Sequence, residues 1–460
     1  MNDFEHLITA ESMECPIWTR AVSDPDSAAI RSGERTVSYR QLDRLIQEKM
    51  GSLSIKPGDR VCFQPQPTIE HVVFFWALFR KHAVACPVSK REPESVAISR
   101  ARQVSGSWLP DIGDFASENG DDYTSQNSQL KLNGAATIIF SSGSTAEPKA
   151  VVHDLRAHVL SAIGSNENIP LEPGDGWLLS LPTCHVGGLA ILFRCALAGA
   201  CVVLPEPNGT FGEWVSNPRV THVSVVTTQL LRLLRDPKMK TSHLKTVLLG
   251  GSALPKELVR SARRKNLPIR TTYGMTEMAS QVTTSRSSQN DDINAGSLLR
   301  YRRLEVDADG EILVAGPTLC LGYWLEGRLL EVTESDGWFR TGDIGKLAQS
   351  SLTVTGRMDN MFISGGENIH PEEIESILLN FPGVRQAVVV PIAHKEYGLR
   401  PVAVLDTDSI DQENILQFLR LDLPSYKLPD SFLPWPPDRF NTGLKPGRSQ
   451  VSQYVADMLG

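Results

Sequence analysis

The chain has 460 residues, 41% of them hydrophobic and 22% charged, a mixture that supports a buried core and excludes intrinsic disorder. That length exceeds what one core usually serves, so one large domain and one smaller domain are expected. A formal net charge of -7 excludes nucleic acid as the main partner, because no basic face is large enough to displace many counterions.

The opening "MNDFEHLITAESMECP" carries acids where a signal peptide would be apolar. Next, "TVSYRQLDRLIQEKM" reads as a strand followed by a helix, "DRVCFQ" as a strand, and "EHVVFFWALFRKH" as an amphipathic or buried helix too short to span a bilayer. Seven cysteines without a CxxC pair imply neither a zinc knuckle nor a disulfide framework. A reducing, cytoplasmic setting without membrane insertion is therefore expected.

From about Ala135 onward, the β-rich runs "ATIIF", "GWLLSLP", "CVVLP", "HVSVV", "TVLLGG" and "PIRTTYG" alternate with helix-like segments such as "GLAILFRCALAGA" and "PKELVRSARRKN". This rhythm predicts an α/β fold with a parallel sheet. "ENGDDYTSQNSQ" and "TSRSSQNDD" are turn-rich and read as surface loops. A boundary near "TGRMDNMF" separates a large α/β part, 1–356, from a compact α+β tail, 357–460. The tail's first helix opens with Pro371 and two acids, and Ile374, Ile377, Leu378 and Phe381 recur on one face. "QAVVVPI" and "RPVAVL" supply strands, and "QENILQFLR" a further helix.

The chemistry-bearing stretch is "SSGSTAEPK", directly after "ATIIF", where ligand loops cluster at the carboxyl ends of parallel strands. Small residues there let backbone amides approach phosphate oxygens. Ser141, Ser142, Gly143, Ser144 and Thr145 form that run, and Lys149 adds a point charge. It is not a Walker A loop, since Pro148 precedes the lysine and Ala150 follows it. Taken alone, a serine-rich surface turn is an equal alternative.

With "TTYGMTE", "GWFRTGD", "GRMDNMFISGGENIHPEEIE" and "NTGLKPGR" in order behind it, the chain resembles the adenylate-forming superfamily of acyl-CoA synthetases, luciferases and peptide-synthetase adenylation domains. "LPTCHVGGLAILFRCALAGA", "VSVVTTQLLRLL", "YGMTEMAS" and "VVPIAHKEYGLRPVAV" are most similar to the o-succinylbenzoate:CoA ligases of menaquinone synthesis. The resemblance implies a large N-terminal domain, a small mobile C-terminal domain, and the small-molecule partners ATP, coenzyme A and o-succinylbenzoate, with Mg2+ as cofactor. Another acyl- or aryl-CoA ligase, or a non-catalytic nucleotide-binding homologue, stays open, as does a homo-oligomer.

Carried over residue by residue, Ser141 to Lys149 would cradle the β- and γ-phosphates, Thr276 would meet the α-phosphate and Glu277 would hold magnesium. Gly250, Gly251 and Ser252 would line adenine, with Tyr273 stacked on it and Gly274 and Met275 beside it. Asp343 would accept the ribose hydroxyl protons and Arg357 would donate to the same sugar. Lys445 would be the mobile catalytic cation, brought in by rotation about Asp359, and Gly365 and Gly366 would leave a path for the pantetheine arm. His185 would gate the acyl pocket beside Gly187, with Gln229 a further pocket candidate. Arg194, in an otherwise apolar helix, would face the free carboxylate of the succinyl chain. Two departures stand out from the family pattern: Ala146 where glycine is usual, and Leu444 between Gly443 and Lys445.

Overall fold

The computed structural model describes residues 4–113, 128–141, 148–251, 256–286, 293–436 and 448–459. Its largest sheet has a parallel centre of Ala28–Ser32, Cys201–Leu204, Gly176–Leu178, His222–Val225, Thr246–Leu249 and Ile269–Met275, side by side. Every residue of His222–Val225 and Thr246–Leu249 is buried, which is why these strands are so rich in apolar residues rather than alternating with polar ones. Past Ile269–Met275 the sheet turns antiparallel and continues through Ser280–Thr284, Ser297–Leu298, Ser351–Arg357, Phe339–Ala348, Glu311–Ala315 and Arg303–Val306. This extension sets Asp343 directly opposite Arg357.

A second sheet carries the serine-rich segment. Thr137–Ser141 runs parallel to Val84–Pro87 on one side and antiparallel to Lys149–His153 on the other. The two strands on either side of the serine-rich stretch pair antiparallel, with Ser141 opposite Lys149. The reason is local: Ala150, Val151 and Val152 are fully buried and favour strand pairing, which delays the helix to Leu155–Asn168. Asp154 caps that helix by accepting from the Ala157 amide at 2.8 Å.

Helix Ile69–Arg80 is buried along its whole length except Glu70, and Trp76 and Phe79 pack on Phe193 of helix Val186–Ala198. The latter helix ends at Gly199, whose φ of +72° makes a left-handed cap that glycine adopts without strain. Among the described residues no helix is long and apolar enough to cross a membrane.

The C-terminal part has its own sheet, Glu367–Ile369, Phe362–Ser364, Gly398–Asp406, Gln386–His394 and Ser431–Pro434, around a separate core. Helix Pro371–Leu378 buries Ile374 and Leu378 completely, while Ile377 and Phe381 lie at the core's margin. A large mixed α/β part followed by a small α+β part matches the architecture expected from the alternating pattern.

Candidate active site

Strand Ile269–Met275 carries a register shift between Tyr273 and Gly274. Gly274 is required there, because a Cβ would lie 2.1 Å from the Ser280 carbonyl oxygen. A 3-10 turn, Thr276–Met278, follows, and the chain re-enters the sheet through Ala279 and Ser280 with φ of +51° and +121°. Two non-glycine residues in that region make a strained corner, a feature that clusters at functional sites.

Three groups hold the Thr276–Glu277 pair. His153, fully buried, donates from Nε2 to the Thr276 carbonyl at 2.7 Å, and burial brings its pKa down to about 4, so the ring is neutral. The Cys320 amide donates to the Glu277 carbonyl at 2.7 Å. The Tyr323 hydroxyl donates to Glu277 Oε1 at 2.8 Å, while its ring lies under Lys149 Nζ, 4.8 Å from the centroid. Tyr323 thus joins the end of the serine-rich hairpin to the buried acid.

Glu277 fits a magnesium site of the kind that needs substrate phosphates. It is a single carboxylate, only 9% exposed, that shares Tyr323 as a neighbour with Lys149. Mg2+ commonly binds one or two carboxylates and completes its shell with phosphate oxygens and water. Among the described residues no group of three or more His, Cys, Asp or Glu could hold a metal ion.

The second wall is built around Asp343. Its Oδ2 accepts from the Tyr273 hydroxyl at 2.6 Å and its Oδ1 from Arg357 Nη1 at 3.0 Å. Arg357 Nη2 reaches Asp359 Oδ2 at 3.0 Å. Burial pushes the Asp343 carboxyl above its ordinary value, opposed by the Tyr273 hydrogen bond and the Arg357 charge. Each carboxylate oxygen still has a lone pair for a sugar hydroxyl. On the neighbouring strand a Cβ at Gly250 would lie 2.6 Å from Thr272 Cγ2, and Gly251 has φ of +82°.

In helix Val186–Ala198, Arg194 is 1% exposed. Its Nη2 donates to Gln281 Oε1 at 2.7 Å and Ser280 Oγ at 3.2 Å, its guanidinium lies 5.0 Å from the Trp177 ring centroid, and its Nε is buried without a partner. No carboxylate among the described residues forms an ion pair with it. Burial lowers its pKa to about 10, which leaves it charged at neutral pH. His185 is an exposed residue at the N-terminal end of the same helix, and partial desolvation of its ring, then the Arg91 charge, hold its pKa below the ordinary value. Gly188 lets that helix approach the preceding turn, since a Cβ would lie 2.3 Å from the Pro182 carbonyl; at Gly187 the nearest atom, Leu181 Cδ1, is 3.3 Å away.

Family models describe residues 90–324 as an AMP-binding enzyme and residues 373–436 as an AMP-binding enzyme C-terminal domain. The chain belongs to the AMP-binding enzyme family. It is 33% identical over 440 residues to 2-succinylbenzoate--CoA ligase of Salmonella typhimurium, covering 93% of this chain and 95% of the relative. It is also similar to o-succinylbenzoate CoA synthetase from Bacillus subtilis in complex with the acyl-adenylate intermediate OSB-AMP, at a TM-score of 0.84 and 27% identity over 96% of this chain and 98% of that one. The same Bacillus enzyme in complex with ATP and magnesium ion aligns with a TM-score of 0.81 at 26% identity, over 92% and 96% of the two chains.

In this AMP-binding enzyme, direct contacts link Lys149 to Glu277 through Tyr323, and Tyr273 to Arg357 and Asp359 through Asp343. Ser141 closes the strand leading into the loop, and Met275 precedes the Thr276 turn. Gly365 and Gly366, with φ of +58° and +89°, turn the chain between Phe362–Ser364 and Glu367–Ile369, against the Tyr397 ring. Ser142, Gly143, Ser144, Thr145, Ser252 and Lys445 lie outside the described residues. Gln229, half-exposed, has local hydrogen bonds: its Oε1 accepts from the Val226 amide at 3.0 Å and its Nε2 donates to the Ser180 carbonyl at 3.4 Å. At the third position of helix Thr227–Arg235, a glutamine folds back onto the helix start. His153, Tyr323, Ser280 and Gln281 were not singled out from sequence. Their partners lie far along the chain, and no local pattern separates them from ordinary core or strand residues.

Proposed function

We propose that this chain is an ATP-dependent, AMP-forming o-succinylbenzoate:CoA ligase of menaquinone biosynthesis, with the residues above in the following roles. The observation that carries the assignment of roles is the contact chain Lys149–Tyr323–Glu277, which brings the end of the phosphate hairpin onto the acid of the "YGMTE" turn.

A carboxylate resists attack by a thiol because its leaving group would be oxide. Attack of the acid on the α-phosphorus of ATP expels pyrophosphate and makes a mixed anhydride with AMP; the thiol of CoA then displaces AMP. Both steps gather negative charge, so the site needs fixed donors and cations. Lys149 and the serine-rich segment before it bind the β- and γ-phosphates. Thr276, its carbonyl fixed by His153, meets the α-phosphate. Glu277 would hold the magnesium ion, whose chemistry is to neutralise charge on phosphate oxygens. Asp343 and Arg357 take the ribose, while Gly250 and Gly251 pass beneath adenine. Arg194 pairs with the carboxylate of the diacid that is not being activated, and His185 stands at the pocket mouth.

The boundary lies at Arg357, and Asp359 is the hinge. The Arg357–Asp359 ion pair couples the ribose wall to that hinge, so rotation of 357–460 would exchange Lys445 for the Gly365–Gly366 turn between the two half-reactions. Incubating the protein with ATP, Mg2+, CoA and a panel of carboxylic acids, and identifying thioesters by mass, tests this reading. It predicts o-succinylbenzoyl-CoA as the dominant product; a dominant thioester of another acid would reassign the substrate.

A further inference from the structure

Arg194 is not the only buried, uncompensated cation here. Arg302, 5% exposed, spends its guanidinium on neutral oxygens: the Gln281 carbonyl at 2.9 Å, the Arg300 carbonyl at 2.7 Å, and Ser161 O and Oγ at 3.0 and 2.9 Å. Neither arginine forms an ion pair with a carboxylate among the described residues. Two guanidiniums of like charge in one interior are costly unless an anion joins them.

The residue between them is Gln281, 3% exposed. Its carbonyl serves Arg302 and its side-chain Oε1 serves Arg194 at 2.7 Å. Ser165 Oγ, itself fully buried, donates to the same Oε1 at 2.7 Å, and Gln281 Nε2 donates to Thr284 Oγ1 at 2.6 Å. The amide therefore cannot flip without facing Arg194 with its NH2 group. The strained corner at Ala279 and Ser280 delivers Gln281 and the Ser280 hydroxyl to this spot.

We infer that Gln281 is a positioning residue that sets acid selectivity: it orients Arg194 with a neutral oxygen, so that the charge on the buried cations is left for the substrate's second carboxylate to neutralise. A glutamate of the same shape would orient Arg194 equally well but would neutralise it from within. This rests on the diacid reading above and deepens it.

The test is Gln281→Glu, with o-succinylbenzoate, ATP and CoA as substrates. The inference predicts that KM for o-succinylbenzoate rises at least about tenfold while KM for ATP stays within about twofold. It also predicts a reduced preference for the diacid over whichever mono-acid analogue turns over, 3-benzoylpropionate or 2-butyrylbenzoate. Ser165→Ala deletes only the second hydrogen bond to Oε1 and keeps the question answerable if Gln281→Glu fails to fold; it should shift KM for the diacid upward by a few-fold, again with KM for ATP unmoved. An unchanged KM for the diacid in the folded variants, or parallel rises for acid and ATP, overturns the inference. A wild-type protein that makes no o-succinylbenzoyl-CoA overturns the substrate reading itself, a result visible before any variant is made.

Discussion

Replacing Arg194 with methionine keeps most of the stem volume and removes the charge. If Arg194 pairs with the substrate's second carboxylate, the variant loses one charge-assisted contact of about 1.5–3 kcal/mol, or about 10- to 150-fold in kcat/KM for o-succinylbenzoate. The structure also says what should not change. Breaking a buried ion pair costs about 3–5 kcal/mol because it strands the other charge, but among the described residues the Arg194 guanidinium has only Gln281 and Ser280 as hydrogen-bond partners. Ser165 still donates to the Gln281 oxygen in the variant. Stability should therefore fall by no more than about 1.5 kcal/mol, a shift of a few degrees in Tm. The assay is pyrophosphate release with acid varied at saturating ATP and then ATP varied at saturating acid, alongside a thermal melt. Equal losses for the diacid and a mono-acid analogue, or a collapse in Tm, would refute the argument that this cation is held for the substrate.

Further outcomes follow from the roles proposed above. Lys445→Ala should slow adenylation about a hundredfold or more, the scale of losing one charge-stabilising donor, while thiolysis of supplied acyl-adenylate survives; equal loss in both half-reactions contradicts a first-step role. Tyr323→Phe keeps the ring under Lys149 but removes the hydroxyl on Glu277, so the Mg2+ needed for half-maximal pyrophosphate exchange should rise about tenfold, as for other groups that orient a metal ligand; an unchanged requirement would separate Tyr323 from the metal. His153→Phe should reduce adenylation about tenfold through the lost hydrogen bond to Thr276, with His153→Gln retaining more. The same ring gives a pH signature. Its folded pKa of about 4 lies below the ordinary 6.5, so the unfolded chain takes the proton first and stability falls as pH drops from about 6.5 to 4. Removing His153 should relieve that slope by up to about 1.4 kcal/mol per pH unit; parallel curves for wild type and His153→Gln would contradict the buried neutral ring.

Sequence and structure agree most where the physics is local. Unbroken runs such as "TVLLG" could only be buried strands or short buried helices, and length with β-branched content favoured strands. Ile374 and Leu378 showed a helix face because burial repeats every three to four residues. The serine-rich segment was less accessible: "ATIIF" announced a strand, but nothing in "KAVVH" said that it would pair back onto it antiparallel. In the site, motif residues were identifiable, yet their partnerships were not. Tyr273 and Asp343 are 70 positions apart, Glu277 and Tyr323 are 46 apart, and Arg194 and Gln281 are 87 apart. Only the twisted antiparallel extension of the large sheet and its junction with the second sheet bring them into contact. Arg194 was conspicuous as a cation in an apolar helix, whereas Gln281, which determines how that cation is presented, looks in sequence like any polar strand residue.

The most direct test omits CoA at first. Protein mixed with o-succinylbenzoate, ATP and Mg2+ should release pyrophosphate and retain an acyl-adenylate detectable by mass, and addition of CoA should convert it into thioester with one AMP for each. Release of ADP and phosphate in place of AMP and pyrophosphate, or a thioester formed without a preceding adenylate, would contradict the account.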